Sequence, residues 1–230
     1  MRNEEPMPPT VLELRQYTLH PGRRDVLIEL FEREFVESQE AVGIELVGTF
    51  RDLDRPDRFV WVRAFPDMPS RAASLQAFYG GPIWATHREA ANATMIDSDN
   101  VLLLRPTANG AGFARSATGS PHSRVLATIC RLAAPAGDAF RRSIDDALAD
   151  AAIAPIARLE TEPAENTFPR LPVRTGEHVF VWFARFDDAE ALRAAEARLA
   201  ASPRWKAIEQ TLESPPERLV LAPTARSRLG

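Results

Sequence analysis

The chain repeats itself, and the repeat limits what it can fold into more than any other feature does. The segment FVWVRAF, Phe59 to Phe65, returns as FVWFARF, Phe180 to Phe186. Extended without a gap to Trp84 and Trp205, the two segments agree at eight of 26 positions: Phe59/Phe180, Val60/Val181, Trp61/Trp182, Phe65/Phe186, Asp67/Asp188, Ala73/Ala194, Pro82/Pro203 and Trp84/Trp205. Two of the eight are tryptophans, the matches that chance supplies least readily. The flanks agree as well: VLELRQYTLHPG opens one copy and VLATICRLAAPAG the other, while VLLLRPT and RLVLAPT close them. Each copy is about 100 residues, the size of one small domain.

Within the first copy, Val11 to Leu19 reads as a strand that Pro21 and Gly22 break. A helix follows from about Arg23 to Ala41, with Leu27, Leu30, Phe31 and Phe35 on one face and Gly43 placed to end it. Strands are predicted over Ile44–Leu53 and Arg58–Phe65, separated by an Asp-Arg-Pro-Asp turn. A short helix reaches Tyr79, Gly80 and Gly81 interrupt it, and Pro82 suits the first turn of another helix running to about Met95. A last strand is predicted over Asn100–Arg105. The order is β-α-β-β-α-β, a ferredoxin-like unit, and the second copy follows it with a longer connection at Pro163–Gly176. The expected organisation is a disordered start at 1–10, a first domain at 11–107, a Gly/Ala/Ser-rich linker at 108–123, a degenerate second domain at 124–224 and a frayed tail at 225–230.

FVWVRAF and FVWFARF do not alternate apolar with polar, as strands with one wet face would. Helices can cover only one face of such a sheet. Burying roughly 400–800 Å² of apolar surface on the other face is worth on the order of 10–20 kcal/mol. The expected fold is therefore α+β, two tandem βαββαβ units whose antiparallel sheets pack on each other as a pseudo-dimeric α/β barrel.

Composition narrows the function classes. Over 230 residues the net charge is −4 with no long run of one sign, which argues against a broad nucleic-acid surface. No apolar stretch approaches a membrane span, and the acidic, proline-rich start has no signal-peptide core. Cys130 is the only cysteine, so no internal disulfide framework exists, and a cytoplasmic protein is expected. His20, His87, His122 and His178 are scattered without ligand spacing, so neither a metal nor another cofactor is expected. Phosphate-loop, dinucleotide and nucleophile-elbow motifs are missing.

LELRQYTLHPG with its helix, the RFVWVRAF strand, FYGGPIW and the closing VLLLRPT together resemble the NIPSNAP family, within the dimeric α/β-barrel superfamily. The resemblance spans about Val11 to Thr107 and reaches the second copy through the internal match. It implies ferredoxin-like sheets paired into a barrel, often between chains, and a biochemical role that is poorly defined. The wider superfamily includes cofactor-free monooxygenases, haem enzymes and small degradative enzymes. Fold alone does not choose among them.

The candidate site rests on an asymmetry between the copies. Glu13, Arg15 and Tyr17 alternate along one strand and so share a face, where carboxylate, guanidinium and phenol together can bind a polar group. Counted from Pro21 and Pro135, they fall opposite Ala127, Ile129 and Arg131, and His20 falls opposite Ala134. By the ungapped offset, Tyr79, His87 and Arg88 fall opposite Ala200, Ile208 and Glu209. His87 and Arg88 lie three and four residues after Trp84 on one helix. The bland alternatives are a structural salt bridge with a buried tyrosine, and an ordinary surface histidine. Tryptophans kept in both copies read as core residues. Three functions follow as expectations. The first is binding of a small, partly apolar organic molecule in the N-terminal half by Glu13, Arg15, Tyr17, Tyr79, Trp84 and Arg88. The second is a cofactor-independent monooxygenase for a phenolic or quinol-like substrate, with His87 as base. The third is a non-catalytic scaffold, self-associating through its remaining barrel or helix surfaces.

Overall fold

The duplicated sequence folds as a duplicated structure. The computed structural model describes residues 9–108, 111–113 and 122–229. The first half contains β1 (Val11–Leu19), α1 (Arg24–Leu30), a π-helical turn (Phe31–Phe35), α2 (Val36–Glu40), β2 (Glu45–Asp52), β3 (Arg58–Phe65), α3 (Met68–Tyr79), α4 (Pro82–Asn92) and β4 (Met95–Pro106). The second contains β5 (Arg124–Leu132), α5 (Asp138–Asp150), β6 (Pro155–Thr161), β7 (His178–Phe186), α6 (Ala189–Ala201), α7 (Pro203–Glu209) and β8 (Glu217–Pro223). The repeated residues do the same work twice. Asp67 and Asp188 both cap a helix, accepting from Ser70 N and from Glu190 N and Ala191 N, and Pro82 and Pro203 each occupy the first turn of the next helix.

The sheets run β4-β1-β3-β2 and β8-β5-β7-β6, and they join at both edges into one closed, antiparallel eight-stranded barrel. The seams are short. β2 meets β8 through Phe50–Asp52, and β4 meets β6 through Leu104–Pro106. Strand alternation then divides the core into three layers. Leu12, Leu14, Val60, Val62, Val181 and Phe183 fill the barrel interior. Tyr17, Phe59, Trp61 and Phe65 face the first set of helices, and Leu126, Cys130, Phe180 and Trp182 face the second. The apolar second face of each central strand is thus buried within one chain, as its sequence requires.

Several boundaries differ from the sequence expectation. The first helix is not uniform, because Phe31–Phe35 form a π turn that packs Phe31 on Trp61 at 4.9 Å and Phe35 on Phe78 and Trp84. β4 begins at Met95 rather than Asn100, since Met95 and Asp97 pair with Leu19 and Thr18 across register shifts that the polar sequence hides. The tail is not frayed: Arg226 and Arg228 ion-pair with Glu37 and Glu40, and Leu229 enters the barrel interior beside Gly48. The disordered start falls largely on residues 1–8 and most of the linker on 109–110 and 114–121, which lie outside the described residues. Of the linker, Phe113 packs on Phe183 at 4.9 Å. Among the described residues no helix is long and apolar enough to cross a membrane.

Candidate functional site

Glu13, Arg15 and Tyr17 do share the helix-facing side of β1, and the structure adds two arginines to them. Arg63, beside Glu13 on β3, and Arg71, on α3, converge on the same carboxylate. Glu13 Oε2 accepts from Arg15 Nη1 at 2.6 Å and Arg63 Nε at 2.8 Å, and Oε1 accepts from Arg71 Nε at 2.7 Å. All four side chains are at most 1% exposed. Three guanidiniums on one carboxylate leave a buried excess of two positive charges. Gln39 takes Arg63 Nη1 on its amide oxygen, but Arg71 Nη2 has no hydrogen-bond partner among the described residues. Burial alone would raise the Glu13 carboxyl; the charges of Arg63, Arg15 and Arg71, with the Arg15 hydrogen bond, outweigh it and hold the group far below the usual carboxylate range.

Tyr17 carries this charge to a cavity. Its hydroxyl oxygen accepts from Arg15 Nε at 3.0 Å, and its own O–H finds no acceptor among the described residues. Burial raises the phenol above its ordinary value, against the pull of Arg15, so it stays protonated at neutral pH. Tyr17 is therefore a donor polarised by a cation and free to donate. It lines a cavity of about 300 Å³ with Tyr79 of α3, Trp84, Arg88 and Asn92 of α4, Met95 and Ser98 of β4, and Phe168, Arg170 and Leu171. This volume lies at the lower end of the small-molecule range.

The last three residues come from the other half. The long β6–β7 connection, which the sequence shows only as extra length, crosses over and roofs the cavity. Asn166 organises it: Oδ1 accepts from Arg71 Nη1 at 3.0 Å and from Phe168 N at 3.0 Å, while Nδ2 donates to Leu171 O at 2.8 Å. Phe168 stacks on Tyr79 with 5.9 Å between centroids. Roof and floor are thus tied to one ionic cluster, through Asn166, Arg71, Glu13, Arg15 and Tyr17 in turn.

Of the residues singled out in the sequence, Tyr17, Tyr79, Trp84 and Arg88 meet in the cavity, while Glu13 and Arg15 stand behind Tyr17. His87 is not among the lining residues; its Nε2 lies 3.4 Å from Glu34 Oε2 and its ring packs near Phe35. Trp61, Trp182 and Trp205 are buried core residues, but Trp84 is half-buried and lines the cavity. Sequence reasoning missed Arg63 and Arg71. The signal was present, since the ungapped offset sets them opposite Ala184 and Leu192. It also paired β1 with β5 one residue out of step. Arg15 lies opposite Trp61 and Thr128 opposite Trp182, so Glu13, Arg15 and Tyr17 correspond to Leu126, Thr128 and Cys130. Ala127 and Ile129 instead point into the barrel. The corrected pairing sharpens the contrast. At the positions of Glu13, Arg15, Arg63 and Arg71 the second half carries Leu126, Thr128, Ala184 and Leu192, so the architecture forms without the ionic cluster.

Cys130, the counterpart of Tyr17, is fully buried, and burial followed by the charge of Glu209 pushes its thiol up to about 12. No group of three or more His, Cys, Asp or Glu among the described residues is placed to hold a metal ion.

Residues 12–109 match the NIPSNAP family model. The first half is a NIPSNAP domain. That domain contributes the ionic cluster and, among the described residues, seven of the ten that line the cavity. Over the whole chain, the fold is similar to three crystal structures. One, named "putative monooxygenase", is from Lactobacillus acidophilus NCFM, with 13% identity over 94% of each chain and a TM-score of 0.55. Another with that name is from Fusobacterium nucleatum subsp. nucleatum, with 8% identity over 94% of this chain and 92% of the other, at 0.61. The third is an anthrone oxidase-like protein, with 15% identity over 98% of this chain and 94% of the other, at 0.58. At these identities the likeness is one of fold: a NIPSNAP domain joined to a second unit in a full-length tandem barrel. No curated protein matches the sequence.

Proposed function

We propose that the protein binds a small, flat, partly apolar organic molecule that carries a hydrogen-bond-accepting oxygen, in the cavity between the NIPSNAP sheet and its helices. One observation carries this reading: Tyr17, its O–H protonated, polarised by Arg15 and without an acceptor among the described residues, lines a cavity together with Tyr79, Trp84 and Phe168. A buried O–H donor left without an acceptor is unfavourable by about 1–3 kcal/mol, so a carbonyl, enolate or phenolate oxygen within its reach has a ready partner. Aromatic walls suit a planar ring. Calorimetric titration with a panel of hydroxyaromatics and quinones tests the idea. Wild type is expected to bind at least one class, and Tyr17→Phe to bind it 5- to 30-fold more weakly. No binding by wild type, or equal binding by Tyr17→Phe, sinks it.

A second reading is cofactor-independent oxygenation of a phenolic or quinol-like substrate. The Arg15–Tyr17 pair favours it, because a donor in a positive field stabilises the substrate anion that must meet oxygen. The likeness to the anthrone oxidase-like and monooxygenase folds supports it at the level of architecture. His87, the base first considered, is apart from the lining, and among the described residues the lining contains no carboxylate or imidazole. The ligand would therefore have to enter already ionised or lose its proton to water. Oxygen uptake with quinols, absent in Tyr17→Phe and retained in His87→Ala, distinguishes this from binding alone.

A further inference from the structure

The cavity is electropositive out of keeping with its chain. The sequence as a whole carries a net charge of −4, yet among the described residues the cavity lining contains two guanidiniums, Arg88 and Arg170, and no carboxylate. Neither forms an ion pair with a described residue, and Arg170 rests over the Phe168 ring at 5.9 Å. Behind Tyr17 lies the second positive element, three fully buried arginines on one glutamate, with Arg71 Nη2 unpartnered among the described residues. Desolvating cations in excess of their counter-ions is unfavourable unless something returns the charge. The second half shows that the fold does not demand it: Arg15, Arg63 and Arg71 give way there to Thr128, Ala184 and Leu192, and Arg88 to Glu209.

Resting on the binding site proposed above, we infer that its ligand is an aromatic acid held at two ends. The ring lies among Tyr79, Trp84 and Phe168, a ring oxygen accepts from Tyr17, and a carboxylate meets Arg88 of the NIPSNAP domain and Arg170 of the roof. Guanidinium and carboxylate pair in planar, bidentate fashion, which fits an arginine supplied from each side of the opening. Because Arg170 belongs to the second half, that half contributes specificity even though its own helix-facing layer lacks the ionic cluster. A neutral phenol of the same shape keeps the ring and oxygen contacts but leaves both arginines unanswered.

The test is a matched pair, 6-hydroxy-2-naphthoate and 2-naphthol, titrated by calorimetry into the full chain at low and moderate salt. Wild type is expected to bind the acid at least tenfold more tightly, with the margin shrinking as salt rises. The exposed double variant Arg88→Gln/Arg170→Gln should lose that margin, binding the acid no more tightly than it binds 2-naphthol, and Arg88→Glu, which copies Glu209, should reverse the preference. Circular dichroism would check that both variants stay folded. Equal binding of the two probes by wild type, or an unchanged margin in the double variant, overturns this inference and leaves the site standing. Binding of neither probe overturns it together with the reading on which it rests.

Discussion

Replacing Glu13 by Gln keeps the shape of the buried cluster and removes its only negative charge. In wild type the carboxylate holds Arg15, Arg63 and Arg71 at 2.6–2.8 Å with no solvent contact. Breaking a buried ion pair by removing one partner is destabilising by about 3–5 kcal/mol, and here three cations lose the same counter-ion, so the upper half of that range is expected. For a chain of this length 3–5 kcal/mol corresponds to a Tm lowered by about 6–20 °C. The pH dependence gives an independent check. Glu13 ionises in the folded protein far below its ordinary value of about 4.5, so its stabilisation is fully present above that pH and fades as pH falls below it. One proton is worth about 1.36 kcal/mol per pH unit, so the gap between wild type and Glu13→Gln should narrow by about 2 kcal/mol between pH 7 and pH 3. Urea unfolding at several pH values measures both quantities. A loss below 1 kcal/mol at pH 7, or a gap that does not change with pH, would refute the view of Glu13 as the buried counter-ion of the cluster.

Other outcomes follow from the same geometry. Asn166→Ala removes the acceptor shared by Arg71 and Phe168 N, and should speed amide exchange over residues 162–177 while leaving the barrel strands protected. Leu229→Ala should be destabilising by about 2–5 kcal/mol, read from denaturant midpoints, because the side chain fills the barrel interior; a frayed tail would show no effect. Cys130, with its thiol pushed up to about 12, should resist a thiol reagent at pH 8 in the native protein and react fully once denaturant opens the core.

The repeat was legible because its matches are residues with the same physical duty in each half. Phe59 and Phe180 fill equivalent layers, Asp67 and Asp188 cap, Pro82 and Pro203 start a helix. The doubly apolar central strands announced a partner on each face, which the closed barrel supplies. The shared face of Glu13, Arg15 and Tyr17 was legible from period two alone. Their counterparts were not, because Pro21 and Pro135 lie beyond the strands, where a loop can gain a residue without moving the sheet; a slip of one then exchanges the faces. Arg63 and Arg71 escaped notice because the carboxylate they serve lies 50 and 58 residues away. The roof escaped for the same reason, its link from Asn166 to Arg71 spanning 95 residues.

Covalent fusion has a consequence for how such a barrel can change. When two identical chains close a ring of strands, every substitution is written twice, so a bulky roof or a set of uncompensated cations must be tolerated at both ends at once. Here the gene writes each position once. One end was free to gather arginines and aromatic rings while the other kept an inert filling and lent a loop to its neighbour, so that the two ends of the barrel differ where symmetry would have made them alike.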